Sequence, residues 1–281
     1  MLKYNLFVLV LFLPFTFSAQ EFQGKAEYYS KIIIKPKANS AEIKSDEDAE
    51  IKKHVQDALR KATENVYELT FNKQECLYDK RQELEKPQVK EDEFTVSISL
   101  TTEGQKYINL KDKVSVIEDD IYQKEFLRVD SLRNFNWRLI DETKKIGEYN
   151  CYKAEVIIPV TDKEKEAYTE FLKRKEKGKT LGFFDISEPK DKVVTAWYAP
   201  EIPVSFGPDN YWGLPGLILE IDEEKKIILC SKITLSNKNV IKIKPPNNGK
   251  KVTTKEFDAL RKKKTDSLKN KDGHVIFQTT E

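Results

Sequence analysis

The stretch that decides the fold is TAWYAPEIPVSFGPDNYWGLPGLILEI, Thr195 to Ile221. Seven of the chain's 21 glycine and proline residues lie between Pro200 and Gly216. Gly213 and Gly216 tolerate positive φ, whereas Pro215 fixes its own φ and gives up a backbone donor. Leu214, placed before a proline, is pushed toward an extended conformation. The segment therefore reads as an extended approach, a tight turn near Pro215-Gly216, and then a strand with Leu217, Leu219 and Ile221 on one face. Pro200, Pro203 and Pro208 hold a second irregular, extended path upstream. Two roles fit these residues. The loop could wrap the sheet and plug Tyr211, Trp212 and Leu214 into the core, or it could form an aromatic lip over a ligand cavity, built by Trp197, Tyr198, Tyr211 and Trp212. Gly and Pro punctuation marks turns more often than sites, which favours the structural role.

Outward from this point the chain is a succession of short strand-like runs. Lys106–Leu110, Val114–Ile117, Tyr122–Val129, Trp137–Glu142, Tyr149–Ile158, Val193–Tyr198, Leu217–Ile221 and Lys226–Leu235 follow one another at short intervals. Earlier, GKAEYYSKIIIK from Gly24 and NVYELTFNKQECLYDKRQEL have strand character, and Phe94, Val96, Ile98 and Leu100 alternate with polar residues. Short sequential strands favour antiparallel pairing, since parallel strands need long crossovers. The expected fold is mainly β (α+β): an all-antiparallel curved sheet or half-barrel with a few flanking α-helices. Helices are expected at about Asp46–Ala62, at Asp162–Lys177 inside a charged insert of about 162–192, and at about 254–270. At the last of these, Thr253 and Glu256 have capping-box spacing. No linker rich in Gly, Ser or Pro divides the chain, so residues 20–281 read as a single domain.

Three signatures, NWRLIDETKKIGEYNCYKAEV, TAWYAPEIPVSFGP and YWGLPGLILEI, resemble the GLPGLI family of exported bacterial proteins. The family is named for the hexapeptide present here as Gly213, Leu214, Pro215, Gly216, Leu217 and Ile218. The resemblance implies a Gram-negative envelope protein and leaves its biochemical role open. The long charged insert departs from the family pattern.

The amino terminus supports export. A basic start at Lys3, an apolar run from Leu6 to Phe17 and the small residues Ser18-Ala19 form a signal peptide over residues 1–19. The run is too short to span a bilayer, and no later segment is apolar enough for a transmembrane span. The mature protein is expected to be soluble, in the periplasm or secreted. With 49 Lys and Arg against 47 Asp and Glu, the chain lacks the concentrated basic field that nucleic acid demands. Its three cysteines, Cys76, Cys151 and Cys230, match no zinc spacing and are expected to be mostly reduced. A Cys151–Cys230 bridge would require their strands to be neighbours.

No nucleophile elbow, phosphate loop or dinucleotide fingerprint occurs. His54 and His274 are too few and too isolated for a triad or a histidine zinc site. Glu118-Asp119-Asp120 reads as a solvated hairpin tip. Glu220 reads either as an outward residue or as a buried acid tied to the preceding loop. No catalytic residue, metal or cofactor is expected. Two functions remain: a carrier holding a hydrophobic or lipid-like ligand on its curved sheet, or an interaction module docking onto an outer-membrane protein or secreted assembly.

Overall fold

The structure is a computed structural model that describes residues 22–33, 57–81, 104–176, 187–236 and 241–268. The expected signal peptide, the alternating run Phe94–Leu100, most of the first expected helix, both histidines and part of the charged insert lie outside the described residues.

The strands are β1 (Gln23–Ile32), β2 (Glu64–Phe71), β3 (Glu75–Lys80), β4 (Lys106–Asn109), β5 (Val114–Ile121) and β6 (Lys124–Ser131). They continue with β7 (Arg138–Ile146), β8 (Tyr149–Ile158), β9 (Lys192–Ala199), β10 (Leu217–Asp222), β11 (Lys226–Ser236) and β12 (Lys250–Val252). Helical residues 57–63 (α1) precede β2, α2 (Asp162–Glu176) follows β8, and α3 (Thr254–Ser267) follows β12. Among the described residues all twelve strands form one open sheet in the order β12-β6-β5-β4-β3-β2-β1-β11-β10-β9-β8-β7.

The sheet order and the chain length together require strong curvature. β6 and β7 stand ten places apart. At about 4.8 Å per strand, a flat sheet would separate them by about 48 Å. Yet only Leu132–Trp137 joins them, a linker that spans roughly 25 Å fully extended. The sheet must curl until its two ends approach, as a half-barrel does. Exposed ion pairs cross the same gap between helices attached to opposite ends: Lys163 of α2 with Asp258 of α3 at 2.6 Å, and Lys262 of α3 with Glu166 of α2 at 3.5 Å.

One pairing departs from the all-antiparallel expectation. β12 runs parallel to β6 over Lys250–Val252. Residues 237–249 separate β12 from β11, so no tight hairpin constrains its direction. Glu118-Asp119-Asp120 is also corrected: these residues lie inside β5, and the turn falls at Tyr122-Gln123. Both turn residues take left-handed φ, 50° and 69°, as a two-residue hairpin loop demands. Asp119 is buried and meets Arg261 of α3 at 2.9 Å and Arg128 at 3.3 Å, so it anchors a helix instead of facing water. α3 also buries Phe257 against Phe126 and carries the expected capping box at Thr253 and Glu256.

The main core lies inside the curl. Cross-strand partners Leu69–Tyr78, Ala26–Leu69, Tyr28–Cys230, Ile221–Ile228 and Ile221–Ala196 form a continuous buried band. The Pro200–Gly216 loop fills the space above it. Ile202, Val204 and Phe206 are buried and alternate with Glu201, Pro203 and Ser205, a strand-like period with prolines where donors are absent. The segment is tied to β10 by Leu217 N–H to the Ile202 carbonyl (3.0 Å) and Ile218 N–H to the Phe206 carbonyl (2.9 Å). The turn falls on Pro215, where Gly216 N–H donates to the Leu214 carbonyl at 2.9 Å, a three-residue γ-turn. At Gly216 the reason for glycine is close approach: a Cβ there would lie 2.4 Å from the Ala199 carbonyl oxygen. At Gly213 it is conformation, with φ at 97°.

Candidate functional site

A cavity of about 480 Å3 opens where the curled ends approach one another. Ile108 of β4 and Ile117 of β5 give it an apolar wall, continued by Leu132 and Phe135 of the linker and Ile158 at the end of β8. The opposite wall is the turn Asp209–Trp212, with Glu223 from the β10–β11 hairpin. Asp130 and Thr254 close one end. There the Asp130 carboxylate accepts from the Thr254 hydroxyl (2.6 Å) and backbone N–H (3.2 Å), a favourable place for an anion at a helix start.

Aromatic contacts and two indole hydrogen bonds stitch the linker to the loop. Trp137 Nε1–H donates to the Trp212 carbonyl at 2.9 Å, and Trp212 Nε1–H donates to the Arg133 carbonyl at 3.0 Å. Tyr211 is buried, with ring centroids 5.3 Å from Phe135 and 6.1 Å from Trp137.

Beside the cavity lies a charged cluster. The Asp209 carboxylate is bonded to Lys106 of β4 and, at 2.6 Å, to Lys226 of β11. Those strands stand four places apart, so one side chain in the loop ties together regions that a flat sheet would hold about 19 Å apart. Burial alone would raise the Asp209 pKa, but the two ammonium charges hold it well below the usual carboxylate range. Glu223 moves the opposite way: burial raises it, the Asp209 charge adds to the rise, and Lys226 and the Tyr211 hydrogen bond oppose it. Burial likewise raises the Tyr211 phenol, helped by Glu223 and Asp209. The Oδ1 of Asn210 is buried with no hydrogen-bond partner.

The four aromatic residues expected in a lip do not gather in one place. Tyr211 and Trp212 line the cavity. Trp197 lies instead beside Glu220 and Lys153 in the cross-strand register, with Lys144 Nζ 4.3 Å from its ring centroid. Tyr198 is buried, 6.1 Å from Tyr152. The hexapeptide Gly213–Ile218 supplies the turn and strand entry that carry Tyr211 and Trp212 into place. Glu220 is tied to Lys144 of β7, both carboxylate oxygens at 2.8 Å, and not to the loop before it. Sequence reasoning missed Lys106, Asp209, Asn210, Glu223 and Lys226. The only local signal was Asp209-Asn210 after Gly-Pro, which reads as an ordinary turn.

The three cysteines are free and buried. Burial pushes the Cys151 thiol up to about 11 and the Cys230 thiol up to about 12, which leaves both unreactive near neutrality. β9 and β10 lie between their strands, so the neighbouring-strand geometry that a Cys151–Cys230 bridge requires does not arise. Among the described residues no group of three or more His, Cys, Asp or Glu side chains is placed to hold a metal ion. No helix among them is long and apolar enough to cross a membrane.

Residues 137–220 match the model of a family described as a protein of unknown function (Porph_ging), a span running from the start of β7 into β10. No curated protein matches the chain. Among solved structures, the chain is similar to PNGF-II in a C2 crystal form, at 14% identity and a TM-score of 0.47, covering 87% of this chain and 33% of that one. For PNGF-II in a P21 form the values are 15%, 0.47, 87% and 34%. The chain thus spans about a third of the length of these structures.

Proposed function

We propose that this is an exported, non-catalytic binding protein of the GLPGLI type that carries an amphipathic small molecule in the cavity at the open side of its half-barrel. The observation that carries this reading is the cavity itself. Its volume, about 480 Å3, lies within the roughly 300–1,000 Å3 typical of small-molecule sites. Its apolar wall faces a short run of polar groups, the combination that seats an apolar body and orients a polar head. The hexapeptide lies inside the matched residues 137–220. On this reading its work is architectural: it delivers Tyr211, Trp212 and the Asp209-Asn210 pair to the cavity wall. Export rests on the amino-terminal sequence.

A second reading is favoured by one feature. α2 buries none of its residues and leaves Leu172 39% exposed, with Tyr168 and Phe171 only half covered. Such a helix suits a module that docks onto an outer-membrane or secreted assembly. Native mass spectrometry of protein purified from its own host separates the two. A small molecule that co-purifies and survives gentle ionisation supports the carrier. A stoichiometric protein and an empty cavity support the module.

A further inference from the structure

The free edge of β7 carries a charge pattern that the cavity does not use. β7 is the last strand of the sheet, pairs only with β8, and makes no other backbone hydrogen bond among the described residues. Its nine residues give an edge about 30 Å long. Most of its side chains are exposed, Leu139 to 60%. An edge of that length is a template for another strand unless something guards it. Two usual guards are present. One is a bulge: the register steps from Ile140 opposite Lys153 to Thr143 opposite Tyr152, which leaves Asp141 and Glu142 out of the ladder. The other is the run of charges Asp141, Glu142, Lys144 and Lys145.

We propose that this edge takes β7 of a second copy of the chain, antiparallel, with the twofold axis at Thr143. Opposed residues of an antiparallel pair share a face of the sheet, so the axis of a self-pairing strand must pass through a residue that meets its own copy. At Asp141, Glu142, Lys144 or Lys145 the axis opposes like charges, which destabilises the pair. Axes nearer either end leave most of the strand unpaired. At Thr143 every charge meets its opposite: Glu142 faces Lys144, Asp141 faces Lys145, and Ile140 faces Ile146, each pair occurring twice. Beyond the ladder, Arg138 and Leu139 of one copy lie against the Gly147-Glu148 turn of the other, where a Cβ on Gly147 would meet nothing within 4 Å. Asp141, Lys145 and Glu148 make no ion pair among the described residues, whereas Glu142 is held by Lys153 and Lys144 by Glu220. Pairing extends these into a row of alternating sign across the axis, from Lys153 through Glu142 to Lys144 and Glu220 of the other copy. The bulge removes ladder bonds at the two acids, but diagonal cross-strand neighbours lie within about 8 Å, inside the reach of a lysine. The charges therefore disfavour an arbitrary strand and admit this one read backwards. A contact one strand wide is smaller than the roughly 800 Å2 per partner of a standard interface, so the dimer is weak and sensitive to salt.

Sedimentation velocity of the full mature protein, from micromolar to sub-millimolar concentration at low salt, tests this together with a charge swap. Wild type is expected to show a monomer–dimer equilibrium that weakens severalfold as salt is added. Asp141→Lys sets a lysine against Lys145, and Lys145→Glu sets a glutamate against Asp141. Each variant alone is expected to stay monomeric, and to fold as wild type does because both side chains are exposed. An equimolar mixture of the two restores opposite charges at both contacts and is expected to form the heterodimer. The double variant Asp141→Lys/Lys145→Glu is expected to dimerise as wild type does. Independently, Thr143→Cys, on the axis itself, is expected to give a covalent dimer on mild oxidation, since the three native cysteines are buried. A wild type that stays monomeric throughout overturns the proposal. A dimer indifferent to the single variants, a mixture or double variant that fails to recover it, or a Thr143→Cys protein that does not cross-link overturns it equally.

Discussion

The Pro200–Gly216 loop and α2 invert the usual relation between regularity and burial. The loop has no regular secondary structure, yet Ile202, Val204, Phe206, Tyr211 and Leu214 are all buried in it. α2 is a regular helix of 15 residues with an acidic first turn and a basic last turn, and buries nothing. Local sequence accounts for α2: its charges suit the helix dipole, and Thr161 with Glu164 caps its start. The loop has a few hydrogen bonds of its own, such as Gly213 N–H to the Ser205 carbonyl, and is otherwise held by its buried side chains and its bonds to β10. Stability therefore resides in the irregular segment, and the regular one is an attachment.

The largest expected effect is at Gly216. In Gly216→Val the new Cβ would meet backbone atoms of Ala199 and Pro200 at 2.4–2.7 Å, and backbone cannot swing aside as a side-chain tip can. Urea unfolding should show a loss of more than about 4 kcal/mol, or no cooperative transition. A native-like midpoint would break the comparison outright.

The same change made in both regions sharpens it. Phe206→Ala, at a fully buried ring, should cost about 3–5 kcal/mol. Phe171→Ala in α2 should leave the unfolding midpoint within error. Similar costs at the two positions would mean that α2 is packed as firmly as the loop.

Asp209 tests the electrostatic tie. Asp209→Ala leaves Lys106, whose side chain is 12% exposed, without its carboxylate, and a loss of about 3 kcal/mol is expected. Because the folded pKa is depressed, this contribution is complete above the unfolded value of about 3.9 and fades as the pH falls toward the folded one. The gap between wild type and variant should therefore begin to narrow below about pH 4 and close only as the pH falls through the depressed folded value. Glu223 has the opposite sign. Its folded pKa is raised, so the ionised form is disfavoured by folding as the pH rises through and above the ordinary carboxylate range. Glu223→Gln should be neutral or mildly stabilising at pH 7 and without effect in acid. The smallest effect belongs to the exposed α2–α3 pairs: Lys163→Ala should not shift the melting temperature measurably, with or without added salt.

Much of the local structure was legible in the sequence, and the long-range structure was not. Tyr149–Ile158, Leu217–Ile221 and the capping box at Thr253 carry period-two or capping signals that depend on neighbours in the chain. Tyr122-Gln123 carries no turn signal, since neither residue favours left-handed φ, and the acidic run before it looks more like the tip. The parallel seat of β12 and the approach of β6 to β7 depend on sheet order, which no local pattern encodes. The site was half legible for the same reason. Tyr211 and Trp212 belong to the loop and reach the cavity with it. Trp197 sits in a strand where one step of alternation decides the face. Asp209 matters only because curvature brings Lys106 and Lys226 to it.

Native-state hydrogen exchange measures the central claim directly. The amides of Gly213, Leu217 and Ile218, bonded to Ser205, Ile202 and Phe206, should exchange as slowly as those of β10 and β11, through global unfolding only. The amides of α2 should exchange orders of magnitude faster despite their regular helical hydrogen bonds. Rapid exchange at Gly213 and Ile218 within a protected sheet, or protection of α2 equal to that of the strands, would contradict the account.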